Sequence, residues 1–256
     1  MQNQDEQLRR SDPKPSNWIS TSEQLNIPEV PAGGLNLNVQ GRKLSRLLGG
    51  YGQMWEKTYK ISLADTEVTP QQVILVWKND FPAFWPKGNR FYGPPSGISP
   101  GNTAVLNLAG PGGINAPGGL PIIATGIQVI YVDDTSFSFV PLEGHMLCGM
   151  ITFSSFIENG LVAQVHVLVR TGDPLYELSY WLGFGHAMED TFWIQTLKNL
   201  AAHFGSNHSP ELKAQRVDPR LQWKEWKNIW KNAAVRTGLH ILVSPFRWIL
   251  KKILRR

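Results

Sequence analysis

A change of hydrophobic period at Pro174 divides the chain into a strand-rich part and a helical part. Over residues 102–170 the apolar residues fall into five strand-like runs, of which the last two are MITFSSF and LVAQVHVLVR. Asn159-Gly160 lies between these two runs, and Asn-Gly at such a position is typical of a tight hairpin. After Pro174 apolar residues recur at helical spacing up to Phe204. Because a sheet face and a helix stripe that are both apolar must cover each other, the pattern predicts an antiparallel sheet packed on a long helix.

A strand and two short helices precede this region. The core begins at Met54, where WEKTYKISL alternates as a half-buried strand does. Thr69-Pro70 predicts a helix start, because Thr is a good N-cap and Pro suits the first helical position. DFPAFWP, which ends at Pro86, predicts a second short helix. The order is therefore one strand, two short helices, a run of antiparallel strands and a long helix.

This order resembles the START/polyketide-cyclase-like (SRPBCC) helix-grip superfamily over residues 54–205. The stretch WEKTYKISLADTEVTPQQVILVWKNDFPAFWP is similar to its opening strand and helix pair, and EGHMLCGMITFSSFIENGLVAQVHVLVRTGDPLYEL to its late hairpin and final helix. Within the superfamily, GHMLCG before a long hairpin is similar to an uncharacterised bacterial and plant family known as a domain of unknown function. That family usually has Gly-His-Pro-Glu followed by paired glutamates, whereas here Met146-Leu147 follows Gly144-His145.

The resemblance implies an α+β helix-grip fold with a curved antiparallel sheet of about six to seven strands around a long C-terminal helix. It also implies a cavity between sheet and helix for an apolar small molecule or lipid. The same aromatic residues can instead simply fill the core, and the polar side of the strand that carries His166 can face solvent. The candidate cavity residues are Trp55, Tyr59, Trp77, Phe84, Trp85, Phe153, Phe156, His166, Trp181 and Phe192.

No pattern identifies a catalytic centre, so the catalytic residues stay unknown. His186, Glu189 and Asp190 share one helix face, but a solvated helix start explains them without a metal. Glu143 and His145 are explained by a turn, and a single cysteine without a histidine partner by burial. We therefore expect no metal and no cofactor, and favour a non-enzymatic binding protein. A cyclase-type enzyme that uses the same cavity is one alternative, and a non-catalytic interaction subunit of a membrane-associated complex is the other.

Five segments are predicted. Residues 1–17 form a disordered N-terminus, 18–53 a lead-in segment, 54–205 the helix-grip domain, 206–220 a linker and 221–256 a basic amphipathic helical tail. The tail holds nine Lys/Arg and one acidic residue, a net charge of +8, whereas residues 1–220 hold 16 basic and 19 acidic residues. An anionic partner is therefore expected for the tail alone.

The tail is predicted to be two amphipathic helical pieces that lie on an anionic membrane surface. Trp223, Trp226 and Trp230 share one face of the first piece, and the second piece restarts at Ser244-Pro245 after a hinge near Gly238. The same tail can instead dock on a protein partner, or fold back on its own domain and bury the Trp face. We expect no nucleic acid partner, because no recognition motif accompanies the charge. The candidate anchor residues are Trp223, Lys224, Trp226, Lys227, Trp230, Lys231, Phe246, Arg247, Trp248, Lys251, Lys252 and Arg255.

The expected location is cytoplasmic, peripheral on the inner face of a membrane. The single cysteine, Cys148, cannot form an internal disulfide, which is typical of a reducing compartment. The N-terminal residues lack the apolar run of a signal peptide, and no stretch of about 18 apolar residues is present. The predicted function is thus to hold an apolar molecule in a helix-grip cavity at a membrane surface.

Overall fold

The sheet of the computed structural model is antiparallel throughout, with the strand order β2-β3-β4-β5-β6-β7-β1-β8. The structure describes residues 17–18, 29–30 and 34–253, with side chains up to residue 244. The strands are β1 Met54–Ser62, β2 Arg90–Tyr92, β3 Thr103–Leu108, β4 Ile123–Val132, β5 Ser136–Pro141, β6 Leu147–Ile157, β7 Leu161–Thr171 and β8 Glu211–Asp218. The α-helices are α1 Pro70–Asn79, α2 Pro174–Trp181, α3 Phe184–His203 and α4 Ala233–Ile253.

Short-range chemistry sets the turns of the sheet. The β6–β7 hairpin reverses at Asn159 (φ 53°) and Gly160 (φ 123°), the residue types that tolerate positive φ best. The β4–β5 hairpin is closed by Asp133, whose Oδ1 accepts the backbone N–H groups of Thr135 and Ser136 at 2.8 and 2.6 Å. The predicted hairpin at Asn159-Gly160 is confirmed.

Helices α1 and α2 begin where the sequence predicts. Thr69 caps α1 in a capping box with Gln72, and Pro70 occupies the first helical position. Asp173 caps α2 by accepting the N–H groups of Leu175 and Tyr176. Gly183 separates α2 from α3. Its φ is 85°, a conformation that a residue with a β-carbon rarely adopts, which explains why glycine occupies this position.

The core lies between the inner face of the sheet and the helices α1 and α3. Leu197 and Leu200 of α3 and Trp77 of α1 are completely buried there. Phe81, from the 3-10 helix Phe81–Phe84, packs edge-on against Phe153 at 5.1 Å. The strand order and the packing of α3 define an antiparallel sheet around a long helix, which confirms the predicted α+β helix-grip fold class.

The sheet has eight strands where about six to seven were predicted. Residues 206–220, predicted as a linker, contain strand β8, which pairs with the free edge of β1. Its sequence ELKAQRVD lacks alternation, because both of its faces are largely exposed. The strand is held by its backbone hydrogen bonds and not by an apolar side, so period-2 reasoning misses it.

The tail forms one 3-10 helix, Trp223–Lys231, followed by the single helix α4. Trp223, Trp226 and Trp230 are exposed whereas Ala233 is completely buried, so the exposed face of the first piece ends before Ala233. The reason is Asn232, which leaves the helical conformation and caps α4 by accepting the N–H of Val235 at 3.0 Å.

The predicted hinge and restart within the second half of the tail are also wrong. Helix α4 runs without interruption through Gly238 and Ser244-Pro245. The Ser244 hydroxyl donates to the carbonyl of His240 at 2.7 Å, one turn back, and therefore does not cap a new helix. Among the residues described, no helix is both long and apolar enough to cross a bilayer.

The lead-in segment packs on the outer face of the sheet. Val39 is completely buried against Leu142 and Val105. Gly126 of β4 permits this approach, because a β-carbon there would lie 2.9 Å from a methyl group of Val39. The predicted disordered N-terminus lies outside the described residues, apart from Asn17.

Candidate ligand cavity

A cavity of about 110 Å³ lies between strands β2–β6 and the first half of α3. Its wall is apolar except for Asn89, His145 and Glu189. Both polar ends of Asn89 are occupied, since it donates to the carbonyl of Pro86 and accepts the N–H of Ala109. The apolar lining residues are Phe81, Trp85, Phe91, Leu106, Leu108, Ala109, Ile127, Phe139, Met146, Leu147, Ile151, Met188, Phe192 and Trp193.

Aromatic rings form much of this wall and hold one another in place. Phe81 packs edge-on against Phe91 and Phe139, with centroids 5.2 and 5.4 Å away. Trp85 packs in the same way against Phe192 at 5.1 Å. Edge-on contacts of this kind are a favoured arrangement of aromatic pairs and add to the stabilisation that burial of the rings gives.

One charged group reaches the cavity wall from α3. The Oε2 atom of Glu189 accepts hydrogen bonds from Lys57 Nζ at 2.8 Å and from the Tyr180 hydroxyl at 3.1 Å. Lys57 also donates to Asp190 at 2.7 Å, as does the hydroxyl of Tyr59 at 2.6 Å. The other carboxylate oxygen, Glu189 Oε1, is buried and has no hydrogen-bond partner within the described part of the chain.

Burial controls the ionisation of this cluster. It raises the pKa of Glu189 above the ordinary value, while the adjacent ammonium of Lys57 opposes the shift by favouring the carboxylate. Burial and the nearby carboxylates raise the pKa values of Tyr59 and Tyr180 far above the usual range. Both phenols therefore stay protonated and act as hydrogen-bond donors to the two acids.

His145 lies between the cavity and a crevice on the outside of the domain. Its Nδ1 accepts the backbone N–H of Leu147 at 3.0 Å, so Nε2 carries the hydrogen of the neutral ring. Burial lowers the pKa of His145 to about 4. The ring is therefore neutral at physiological pH and is a fixed donor.

The outer crevice has a volume of about 450 Å³ and lies between the lead-in segment, the β5–β6 turn and the tail. Cys148 is buried at its base and accepts the Ser45 hydroxyl at 2.8 Å. Burial raises the pKa of this thiol to about 11, so the nucleophilic thiolate is scarce at neutral pH. Glu143 pairs with Lys231 of the tail at 2.9 Å and not with His145. The turn interpretation of residues 143–145 therefore holds.

The structure brings only two of the sequence-predicted cavity residues, Trp85 and Phe192, to the cavity wall. Four others, Tyr59, Trp77, Phe84 and Phe153, are buried in the adjoining core. The aromatic wall thus continues into a packed aromatic core.

The remaining four candidates lie elsewhere. Trp55 packs edge-on against His186, with centroids 4.6 Å apart. His166 is on the opposite face of β7 from the buried Val165, where Nε2 contacts Glu56 at 2.9 Å. Phe156 lies under the ammonium of Lys60, and Trp181 is 80% exposed.

Sequence reasoning missed the buried ionic cluster. The interpretation of Glu189 and Asp190 as a solvated helix start is wrong, because Glu189 is buried and bound to Lys57. The sequence does contain an indication of this cluster. Lys57 lies two positions before Tyr59 and four before Ile61, so its side chain is on the same face of β1, the side predicted to be buried. A lysine in such a position requires an acidic partner from another element.

The described anchor candidates of the tail lie on the short helix Trp223–Lys231, and most of them are exposed. Trp223, Trp226 and Trp230 have exposed fractions of 68%, 47% and 76%, and Lys224 and Lys227 are also exposed. Two of them contact residues outside the tail: Lys231 pairs with Glu143, and the Trp223 ring packs edge-on against Tyr51 with centroids 5.5 Å apart. The remaining candidates, Phe246, Arg247, Trp248, Lys251, Lys252 and Arg255, have side chains outside the described part.

The fold and the cavity together define a helix-grip protein with a small, largely apolar pocket. No family model matches the sequence, and no curated protein matches it either.

Solved structures similar to this chain include three proteins with low sequence identity to it. The di-domain ARO/CYC StfQ from the steffimycin biosynthetic pathway has 10% identity and a TM-score of 0.42, over 60% of this chain and 51% of StfQ. Major latex-like protein 151 from Panax ginseng has 15% identity and a TM-score of 0.36, over 60% of this chain and 99% of that protein. Ms6760 from Mycobacterium smegmatis has 13% identity and a TM-score of 0.38, over 58% of this chain and 89% of that protein. This chain spans about half the length of StfQ.

Proposed function

We propose that this protein binds a small apolar molecule in the cavity between its sheet and α3. The observation that carries the proposal is the wall itself, in which fourteen of seventeen lining residues are apolar. Ligand pockets are typically apolar with a few placed polar groups, and Glu189 and His145 are such groups here. A dry engineered cavity of about 150 Å³ binds benzene, so about 110 Å³ suits one compact ring or the end of a longer molecule.

The second part of the proposal is that the tail holds the domain at an anionic membrane surface. Three exposed indole rings lie on the short helix Trp223–Lys231, beside exposed lysines. Leu239 and Leu242 of α4 are exposed as well, at 57% and 68%. Indole favours the headgroup region, and each cation near an anionic surface adds about 1 kcal/mol.

The way in which the tail docks supports this part. Asn228 donates to the carbonyls of Gly49 and Gly172, and Asn232 to the Asp173 carboxylate, so polar groups face the domain. These hydrogen bonds hold the tail segment on the domain, while the Trp side chains of the segment remain largely exposed. The self-docking alternative requires the tail to fold back with its Trp face buried. Here the tail docks with its Trp side chains exposed instead.

Fluorine NMR with para-fluorotoluene tests the cavity. We expect saturable binding to the full chain and loss of binding in Leu108→Phe, which places a larger side chain at the cavity wall. Leu75→Phe is the matched control, because Leu75 is an exposed residue of α1. Absence of saturable binding, or equal binding by both variants, would show that the cavity is not a binding site.

Vesicle flotation tests the tail. The full chain is expected to float with phosphatidylcholine vesicles that contain phosphatidylserine, and less with phosphatidylcholine alone. The double variant Trp226→Ser, Trp230→Ser should lose most of this binding, while Trp181→Ser, at an exposed ring outside the tail, should retain it. Equal flotation of the double variant and the native chain would exclude the tail as the anchor.

A further inference from the structure

The turn between β5 and β6 is shared by the cavity and the tail. His145 and Met146 of this turn, and Leu147 at the start of β6, all line the cavity. Gly144, the residue before them, accepts the backbone N–H of Ala233 at 2.9 Å, and Ala233 is the first residue of α4. One short segment therefore contacts both the proposed ligand site and the tail.

The backbone of the tail lies directly on the start of this turn. Lys231 pairs with Glu143 at 2.9 Å, and a β-carbon at Gly144 would overlap the carbonyl oxygen of Lys231. Gly144 has φ 91°, which glycine adopts readily and a residue with a β-carbon rarely does. The glycine thus makes this close contact possible.

A second connection between the tail and the turn runs through Gly172, which follows β7. The side-chain amide of Asn228 donates to the carbonyl of Gly172 at 3.1 Å. The N–H of Gly172 in turn donates to the carbonyl of Met146 at 2.9 Å. The turn is therefore bonded to the tail at its start and, through Gly172, at a residue of the cavity wall.

Apolar packing joins the same two regions. Leu108 of β3 and Met146 line the cavity, and both also pack against a small buried cluster. This cluster consists of Ile123, Tyr176 and Ala233, of which Ala233 belongs to the tail and is completely buried. The cluster that the start of α4 completes thus contacts two residues of the cavity wall.

We infer that ligand binding in the cavity and docking of the tail stabilise each other. This inference rests on the proposed cavity function, because it names the regulation of that same site. The docked tail fixes the turn in the position that completes the cavity wall. When the tail is released, the carbonyls of Gly144 and Gly172 lose these hydrogen bonds, and the cluster beside Leu108 and Met146 loses Ala233. A wall that the ligand itself must then order binds the ligand more weakly, because ordering costs conformational entropy.

The double variant Asn228→Ala, Asn232→Ala tests the coupling from the side of the tail. It removes the side-chain hydrogen bonds that hold the tail on Gly49, Gly172 and Asp173, and it changes no residue of the cavity wall. The probe is para-fluorotoluene, titrated by fluorine NMR without vesicles. The dissociation constant of the variant should be at least about fivefold higher than that of the native chain, which is the lower end of usual coupling between two sites.

The matched control is the double variant Asn79→Ala, Asn207→Ala. It makes the same substitution at two exposed positions outside the cavity wall, so it should bind the probe as the native chain does. Equal binding by the tail variant and the native chain would overturn the coupling and leave the cavity as a binding site. An equal loss in the two variants would overturn the coupling too, since the loss would not depend on the tail. Absence of binding to the native chain would overturn the cavity function together with the coupling.

Hydrogen exchange on the native chain tests the coupling in the opposite direction. Coupling between two binding equilibria is reciprocal, so saturation with para-fluorotoluene should slow exchange in α4 by about the factor by which release of the tail weakens binding. Strand β8 is the internal reference, because it lies at the other end of the sheet from β2 and β3, and its exchange should stay unchanged. Unchanged exchange in α4 at saturation would overturn the inference, even if the tail variant does not fold.

Discussion

The inner face of the sheet buries its aromatic rings whereas the docked tail exposes its Trp rings, and both regions bury polar groups. Inside the domain, Lys57 and Glu189 are buried among aromatic rings. On the tail, Asn232 and Thr237 are completely buried while Trp230 is 76% exposed. In both regions the buried polar groups are those with partners from distant elements. The comparison teaches that pairing, more than residue polarity, decides what this protein buries.

The largest effect on stability is expected when the buried cation of the inner face, Lys57, is removed. Lys57→Met leaves the carboxylates of Glu189 and Asp190 without their shared ammonium, and removal of one partner from a buried ionic cluster destabilises by about 3–5 kcal/mol. Urea unfolding measures the change. The matched control is Lys60→Met on the same strand, which loses the surface pair with Glu158 and the cation–π contact with Phe156, about 1–2 kcal/mol in all. Equal effects of the two substitutions would mean that the buried cluster does not hold the inner face together.

The second test uses pH. The pKa of His145 is about 4 in the folded chain and its ordinary value is about 6.5, so the unfolded chain binds the proton more readily between these values. Stability is fully present above the higher pKa and falls as the pH drops toward the lower one, by up to about 3 kcal/mol.

The variant His145→Asn isolates this contribution. Its side-chain oxygen takes the place of Nδ1 as acceptor for the Leu147 N–H but does not titrate. The native chain should lose more stability than the variant between neutral pH and pH about 4 in parallel urea titrations. Parallel loss in both proteins would assign the acid sensitivity to other groups.

The third test releases the tail. Asn232→Ala removes the cap of α4 and the buried hydrogen bond to Asp173, a loss of about 1–2 kcal/mol. Hydrogen exchange should show faster exchange throughout α4 and unchanged exchange in β6. Lys227→Ala, at an exposed position of the same segment, should leave α4 protected. If α4 keeps its protection in the first variant, docking depends on contacts other than Asn232.

The smallest effect concerns the exposed face of the tail. Trp230→Ser should change the free energy of unfolding by no more than about 0.5 kcal/mol, because the ring makes little contact with the domain. Thermal or urea unfolding in the absence of vesicles measures this change. A loss well above that value would indicate that the ring packs on the domain in solution.

Much of the fold could be predicted because it depends on neighbouring residues. The hairpin at Asn159-Gly160 and the caps at Thr69 and Asp173 each involve atoms within a few positions of one another. The cavity wall is different, since Phe91, Phe139 and Met188 come from three separate elements. Their aromatic or apolar character is visible in the sequence, but which of them face a space and which fill the core is decided by how the strands curve around α3.

The tail shows the same division. Its charge and its Trp residues are properties of the sequence, and they determined the prediction of an anionic surface as partner. The break at Asn232 was not predicted; there the side chain both caps α4 and donates to the Asp173 carboxylate, 59 positions earlier in the chain. Helical periodicity carries no information on such a contact.

The sequence by itself determined the strands β1 and β3–β7, the hairpin at Asn159-Gly160, the starts of α1 and α2, and the concentration of positive charge in the last 36 residues. These follow from backbone preferences and local hydrogen bonds. Only the tertiary structure decided that β8 extends the sheet beside β1, that Lys57 meets Glu189 across 132 positions, and that the tail docks by its polar side. The physical reason is the same in each case: a buried polar group or a free strand edge is satisfied by whatever the folded chain brings next to it.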